Sequence, residues 1–564
     1  MSTKNQVLTL TILFVLTSFG PMIQAIPIGG EVPVCIAEET PSVVRTWNEV
    51  TLIYPDQFHD YGMIQEELAQ FEAIAPHLVS IESFGKSSQG LDLNYVVITN
   101  EVISGPKSKT LIVAHHHGRE QITIEMALRF IQHLLSQYAI DDTITSYVDN
   151  IEIYIIPTLN PDTLEYVINQ GDHWLRKNIN PYDEDGDGLV DEDSPDDVDG
   201  DGIISQEVIY HVDPVFGYVI DYSGWEGIDN DGDGEINEDP IGHVDLNRNY
   251  DVFWDLQTAG SDDVYAQDYR GEEPFSENET RAFRSFALQH KFTAAYSLHS
   301  GVNATYLSTD ADQMYVEPII YDNVMADFNN MLPRSFNKPI GPPYVAVNDK
   351  LSLTVEADES GLWREWMYHK RDTVLPVTFE IYTNHTAPDL EEHIQLNSTH
   401  TLYRWNGIYE YFNPDEQYIQ SLWEDVSPAF DYLLNVTPKF HANLEAATNE
   451  LGNGSQIRLH MEMDIESPYF GSQEGIEIIT DDGELLKWYM PIGPVQVVDN
   501  LITLDLPTSF LNEEVVIHLG NNWTGYKTFT ITTQQAQFII TPEIYIIIGI
   551  AVVALVAAIF RKRR

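Results

Sequence analysis

The sequence predicts an α/β layer fold with a small all-β sandwich behind it and a membrane helix at the C-terminal end. Three observations predict it. From about Trp47 to Leu434, short apolar runs alternate with segments of helical period, the pattern of helices layered on a sheet. After Pro438 short alternating segments separated by turn residues take over. Finally, Ile544 to Phe560 is uninterrupted by charge and precedes Arg561-Lys562-Arg563-Arg564.

In chain order, Met1 to Ala25 reads as a secretory signal. Lys4 gives the positive start, Leu8 to Phe19 the apolar run, and Ile23-Gln24-Ala25 the cleavage site. Thr110 to Ala114, Ile151 to Pro157, Phe292 to Leu298 and Val374 to Ile381 are apolar enough for buried strands. Glu120 to Tyr138 carries a helical stripe at Ile124, Leu128, Ile131 and Leu135. Pro414 to Leu434 reads as a closing helix with Asn413 as N-cap and Pro414 at the first helical position. Residues 438–537 form the predicted β-sandwich, with a hairpin signal at Asp481-Asp482-Gly483. A spanning helix over 541–560 leaves the basic tail 561–564 in the cytoplasm. The expected protein is exported and anchored to the cell membrane, with its body extracellular.

Charge sets further bounds. Asp and Glu number 88 against 29 Lys and Arg, a formal net charge of −59. A surface of that sign excludes nucleic acid as a partner, because binding phosphates needs a basic face. Cys35 is the only cysteine, so no intrachain disulfide can form. An exported domain of this kind must be held by its core, by oligomerisation or by bound ions.

Residues 181–240 hold 21 of the acids and no Lys or Arg. Within them Asp183 to Asp193, Asp197 to Glu207 and Asp229 to Asp239 superpose without gaps. Carboxylates fall at positions one, three and five: Asp183, Asp185 and Asp187; Asp197, Asp199 and Asp201; Asp229, Asp231 and Asp233. Glycine at position six allows a sharp turn, and oxygen ligands return at positions nine to eleven. Ca²⁺ takes six to eight oxygens at such spacing. The loops resemble the calcium-binding repeats of thrombospondin type 3 and dockerin-like modules, which implies about three structural Ca²⁺. They lack the Glu of the EF-hand at position twelve, where Ser194, Val208 and Pro240 stand.

A second metal signal follows the strand ending at Ala114, in His115-His116-His117-Gly118-Arg119-Glu120. Only His117 has a carboxylate three residues on. His117 and Glu120 can chelate one Zn²⁺, which accepts imidazole and carboxylate and leaves a position open. His299, after the apolar run from Phe292, is the candidate third ligand from another strand end.

In this setting the chain resembles the zinc metallocarboxypeptidases of the M14 type, the carboxypeptidase A family. Phe84 to Gly90, His117-x-x-Glu120, Asn160-Pro-Asp162, Trp174-Leu-Arg-Lys177, Asp245-Leu-Asn-Arg-Asn-Tyr250, Phe275-Ser-Glu-Asn-Glu279, His299-Ser300 and Thr378-Phe-Glu380 are similar to the family's motifs, in the family's order. The resemblance implies a mixed-sheet α/β/α carboxypeptidase-like domain over 45–435, with 181–240 as an insert. It implies one catalytic Zn²⁺ on His117, Glu120 and His299. Glu380 is then the general base and acid, and Arg176 the oxyanion donor. Asn247 and Arg248 hold a substrate's terminal carboxylate. The partners implied are peptide or protein C-termini.

One position departs from the family pattern: Ala357 falls where the substrate-binding tyrosine is expected, and Tyr344 replaces it only if that loop is rearranged. In Ser360-Gly-Leu-Trp-Arg-Glu-Trp366, the residue two before the last Trp commonly floors the specificity pocket. Here it is Arg364, which favours an acidic C-terminal residue. Two alternatives stay open: an aspartoacylase-like zinc amidohydrolase, and an inactive calcium-dependent surface binding protein.

Overall fold

The structure is a computed structural model. It describes residues 50–532 except 104–106, 185, 255–259, 303, 311–315, 333–360, 385–390, 449–455, 467–475, 481–484, 490–496, 508–513 and 522–524. The expected signal 1–25, Asp185, Tyr344, Ala357, Ser360, the expected membrane helix 541–560 and the tail 561–564 lie outside the described residues. Among the described residues no helix is long and apolar enough to cross a membrane.

A seven-stranded sheet organises the body. Its strands are β1 (Val79–Lys86), β2 (Asp92–Ile98), β3 (Ser108–Val113), β4 (Ile151–Ile156), β7 (Ala294–His299), β8 (Thr305–Leu307) and β9 (Leu375–Glu380). Their spatial order is β1-β2-β4-β3-β7-β9-β8. The four central strands run parallel, whereas β1, β2 and β8 run antiparallel to their neighbours. The central strands read as continuous apolar runs because helices cover both faces.

Side-chain alternation divides the core in two. Ile112, Ile153, Tyr296, Leu298, Val377 and Phe379 face one layer. That layer contains α1 (Tyr61–Ile74), α2 (Ile122–Gln137), α3 (Asp142–Asn150), α5 (Pro318–Met331) and α8 (Ile419–Val436). Leu111, Val113, Ile156 and Ala295 face the other, where Phe283 and Phe286 of α4 (Asn278–Leu288) meet Trp363 and Trp366 of α6 (Trp363–Arg371). This is the expected mixed-sheet α/β/α architecture.

The closing helix departs from expectation. Pro414 is not its first residue, since a 3₁₀ turn at Glu416–Tyr418, capped by Asp415, precedes α8. Asn413 caps a different helix: its Oδ1 accepts from Ile122 N at 2.9 Å, and its Nδ2 donates to Arg119 O at 2.9 Å. The first turn of α2 contains no capping side chain of its own, so an amide from a distant loop satisfies its orphan donor.

The sequence pattern does not predict the second sheet. The acidic insert contains a hairpin, β5 (Gln206–Asp213) and β6 (Gly217–Trp225). It pairs with β10 (Glu391–Gln395) and β11 (His400–Trp405), which come after β9 in the chain, in the order β10-β11-β5-β6. The helix α7 (Ile408–Phe412) then returns the chain to the body. Beyond α8, strands β12 (Lys439–Thr448), β13 (Gln456–Glu466) and β16 (Val497–Pro507) form one antiparallel sheet. Strands β14 (Ile476–Thr480), β15 (Leu485–Tyr489), β17 (Glu514–Asn521) and β18 (Gly525–Thr532) form another.

Candidate active site

The central strands β3, β7 and β9 are adjacent and parallel, so their C-terminal ends open on one edge of the sheet. His115 to His117 follow β3, His299 ends β7 and Glu380 ends β9. His299 and Glu380 are register partners, and therefore lie on one face.

Three buried side chains converge there. His117 Nδ1 lies 2.7 Å from Glu120 Oε1, and His299 Nδ1 lies 3.0 Å from Glu120 Oε2. The two imidazole rings are 4.8 Å apart. The outward nitrogens are held in turn: His117 Nε2 is 3.1 Å from Asp245 Oδ1, and His299 Nε2 is 2.9 Å from Ser297 Oγ. Burial opposes ionisation of Glu120, but His117 and His299 hold its carboxyl well below the usual range. Burial also lowers His299. Two imidazole nitrogens and a carboxylate on one point, each ring oriented through its other nitrogen, are a donor set that fits Zn²⁺.

Asp245 joins this cluster to Arg176. Arg176 Nε and Nη2 each lie 2.8 Å from Asp245 Oδ2, while its Nη1 is 3.9 Å from Glu120 Oε1. Burial raises Asp245, but Arg176 and His117 outweigh it and hold the carboxyl well below its ordinary value. The same carboxylate accepts from Asn247 N at 2.8 Å and so caps the 3₁₀ turn Leu246–Arg248. The Asn247 amide reaches His299 Nε2 at 3.4 Å, and its Oδ1 accepts from Trp363 N at 3.0 Å. Arg248 Nη1 donates to Asn247 O at 3.1 Å. Gly361, at φ +68°, packs on this turn so closely that an added Cβ would stand 1.7 Å from Arg248 O. Only glycine suits both its φ and that approach.

The family model of the zinc carboxypeptidases, peptidase M14, matches residues 64–429. This chain belongs to that family. Curated relatives include a zinc carboxypeptidase of Saccharothrix mutabilis subsp. capreolus, 39% identical over 134 residues, which are 23% of this chain and 31% of that one. An inactive metallocarboxypeptidase of Saccharomyces cerevisiae, ECM14, is 30% identical over 125 residues, 22% of this chain and 29% of its own. The chain thus spans about a third of the length of these relatives. Among solved structures, carboxypeptidase A of Helicoverpa armigera covers 67% of this chain and 74% of its own at 18% identity, with a TM-score of 0.46.

Other motif pieces of the family pattern hold the loops of this chain. Asp162 accepts from Ser87 Oγ at 2.6 Å and from Gln89 N at 2.8 Å, and Glu279 accepts from Ser88 N at 2.7 Å. His115 sits between Thr158 Oγ1 and Gly118 O, each at 2.9 Å, and His116 bridges Ser297 and Tyr250. Neither histidine joins the cluster of His117, Glu120 and His299. Arg364 is buried near Thr378, two residues before Glu380: its Nη1 reaches Thr378 Oγ1 at 3.4 Å, and its Nε donates to Glu365 at 2.9 Å. A cleft borders Arg176, walled by Trp174 and Lys177 of the body and by Trp225, Asn237 and Pro240 of the insert.

The acidic loops fold alike. Asp183 accepts from Gly186 N and Gly188 N, Asp197 from Gly200 N and Gly202 N, and Asp229 from Gly232 N. The first and third interlock: Asp193 Oδ1 accepts from Asn230 N at 2.8 Å, and Asp239 Oδ1 from Glu184 N at 2.9 Å. Their carboxylates gather as Asp187, Glu192 and Asp231, and as Asp229, Asp231 and Asp233. At the second loop Asp197, Asp199 and Glu226 also gather, but with a cation among them. Arg404 of β11 bonds Asp199, lies 2.6 Å from Glu207 and 3.6 Å from Glu226, and Asn406 donates to Asp201 at 3.2 Å.

In sequence Asp245 stands out only as part of a motif. Its double role on His117 and Arg176 needs three dimensions, although its place at the head of Asp-Leu-Asn-Arg was a signal. Arg404 gave no signal at all.

Proposed function

We propose that this chain is an active carboxypeptidase that removes the C-terminal residue of extracellular peptides or proteins. The observation that carries the reading is the placement of Glu380 on the strand end directly beside the His117, Glu120 and His299 cluster. Those three residues would hold Zn²⁺, which would supply a Lewis acid to polarise a carbonyl and lower the pKa of water. Glu380 takes the proton of the attacking water and delivers it to the leaving nitrogen. Arg176, fixed on Asp245 through Nε and Nη2, keeps Nη1 toward the cluster as donor for the developing oxyanion. Arg248, with Asn247, takes the terminal carboxylate by a fork of N–H donors. That contact makes the reaction an exopeptidase one.

Arg364 supports a preference for acidic C-terminal residues. It is a buried cation against the strand that bears Glu380, although Glu365 shares its charge. The insert is read as a calcium module in which the interlocked first and third loops bind Ca²⁺. The guanidinium of Arg404 serves the second loop instead. Export through residues 1–25 and anchoring through 541–560 complete the reading, with 438–537 as a β-domain spacer.

The test is turnover of a C-terminal-residue peptide library by the full-length protein, with and without a chelator. Release of single C-terminal residues, lost on chelation and restored by zinc, is expected. Turnover of N-acyl amino acids in place of peptides would transfer the site to an amidohydrolase. Zinc binding without any turnover would make it an inactive relative.

A further inference from the structure

The second sheet carries a cluster that the catalytic reading does not use. His211 of β5 and His400 of β11 are direct register partners across an antiparallel pair, with their rings 5.2 Å apart. Asp221 of β6 completes a group of three. His211 Nδ1 lies 2.7 Å from Asp221 Oδ2, and His400 Nε2 lies 3.5 Å from the same oxygen.

We propose that His211, Asp221 and His400 bind a second divalent transition ion, of which Zn²⁺ is the representative, distinct from the catalytic one. Three features of the chain aim the donors. First, directly opposed residues of an antiparallel pair bring their Cβ atoms within about 5 Å, so two imidazoles in register share one ion without backbone movement. Second, Asp221 is the extra residue of a β-bulge: Ile209 pairs Tyr222 and Tyr210 pairs Ile220, which leaves Asp221 outside the ladder. Bulges re-aim a side chain in this way. Third, the turn before β11 sets the tautomer of His400. Thr399 Oγ1 donates to Asn397 Oδ1 at 2.9 Å and therefore accepts from His400 Nδ1–H at 2.8 Å. That leaves the lone pair on Nε2, the nitrogen facing Asp221 and His211.

The chemistry selects the ion. Two imidazoles and one carboxylate suit Zn²⁺ or its first-row neighbours, whereas Ca²⁺ takes oxygen alone. The three side chains are about one third exposed, which lets water complete the coordination. The consequence is a staple. An ion here ties both strands of the insert hairpin to β11, in a sequence whose one cysteine cannot form an intrachain disulfide. The insert lies in the chain between Arg176 and Asp245, two residues that pair beside the zinc cluster.

Zinc content of the full-length protein, equilibrated with micromolar zinc in excess Ca²⁺ so that oxygen sites are filled, tests the proposal. Two zinc per chain are expected in the wild type. One is expected in the double variant His211→Asn, His400→Gln, with faster proteolytic cleavage within 206–225. The converse variant His299→Asn is expected to keep one zinc, on the outer sheet, even if the double variant misfolds. A wild type holding a single zinc, a double variant that still holds two, or a His299→Asn variant that holds none would overturn it.

Discussion

His299 and Glu380 stand directly opposite each other as the last residues of two adjacent parallel strands. One belongs to the candidate zinc set and the other does not, yet both face the same layer. The register therefore fixes their distance without any contact between them having to be optimised. Glu380→Gln keeps the size and the strand but removes the base. Turnover should fall by roughly 10²- to 10⁴-fold while zinc content is unchanged. Loss of zinc from this variant would move Glu380 into the ligand set, and full activity would remove it from the chemistry.

Asp245 makes a prediction that the zinc ligands do not. It holds His117 from behind and Arg176 in front, so Asp245→Asn should harm both. Zinc affinity should drop roughly 10- to 100-fold, as expected when the partner behind a ligating histidine is lost. A chelator competition measures this. At saturating zinc, kcat should stay low because Arg176 has lost its anchor. Recovery of full kcat at saturating zinc would confine Asp245 to holding His117.

Much of this site was legible because its residues sit at strand ends. His117, His299 and Glu380 each follow or close an apolar run, and that pattern survives in one dimension. What escaped has no periodicity. Asn413 caps α2 from almost three hundred residues away. The pairing of β5 with β11 joins the insert to a distant hairpin, and nothing in either segment names its partner. Arg404 reaches the second acidic loop only through that pairing. The repeat implies three equivalent cation sites; carboxylates gather at the second loop too, as Asp197, Asp199 and Glu226, but with Arg404 among them.

Arg364 bears on specificity. Burial pushes the Glu365 carboxyl up although Arg364 beside it pulls the other way. The wild type should prefer peptides ending in Glu over those ending in Phe or Lys. Arg364→Met should reverse the preference between Glu and Phe by at least about tenfold in kcat/KM, an effect of about 1.4 kcal/mol. A wild-type preference for Lys would refute the pocket assignment.

His59 controls stability at alkaline pH. Burial alone would lower it, but Glu125, 2.9 Å away, and Glu67 raise it from 6.5 to about 9. Folded His59 therefore keeps its proton where the unfolded chain has lost it. Its contribution is complete below pH 6.5 and is lost as pH rises through about 9. At about 1.4 kcal/mol per unit, the loss across that window is on the order of 3 kcal/mol. Denaturant titrations should show this slope in the wild type and a flatter one in His59→Gln. Equal slopes would mean that the triad does not titrate in this range.

The interlocked loops make the last prediction. Asp193 and Asp239 each accept a backbone N–H from the opposite loop, so the two loops should take up Ca²⁺ as a unit. Titration calorimetry should give two Ca²⁺ for the wild type, and calcium at a hundred times Kd should stabilise the fold by about 2.7 kcal/mol per site. Asp231 belongs to both carboxylate groups, and Asp231→Ala should weaken both ions together. Arg404→Ala should free the second loop and raise the stoichiometry to three, because its carboxylates lose the guanidinium that now lies among them. A wild type that takes three Ca²⁺ would show that the ion displaces Arg404, and a wild type that takes none would leave the insert an acidic scaffold held by its own hydrogen bonds.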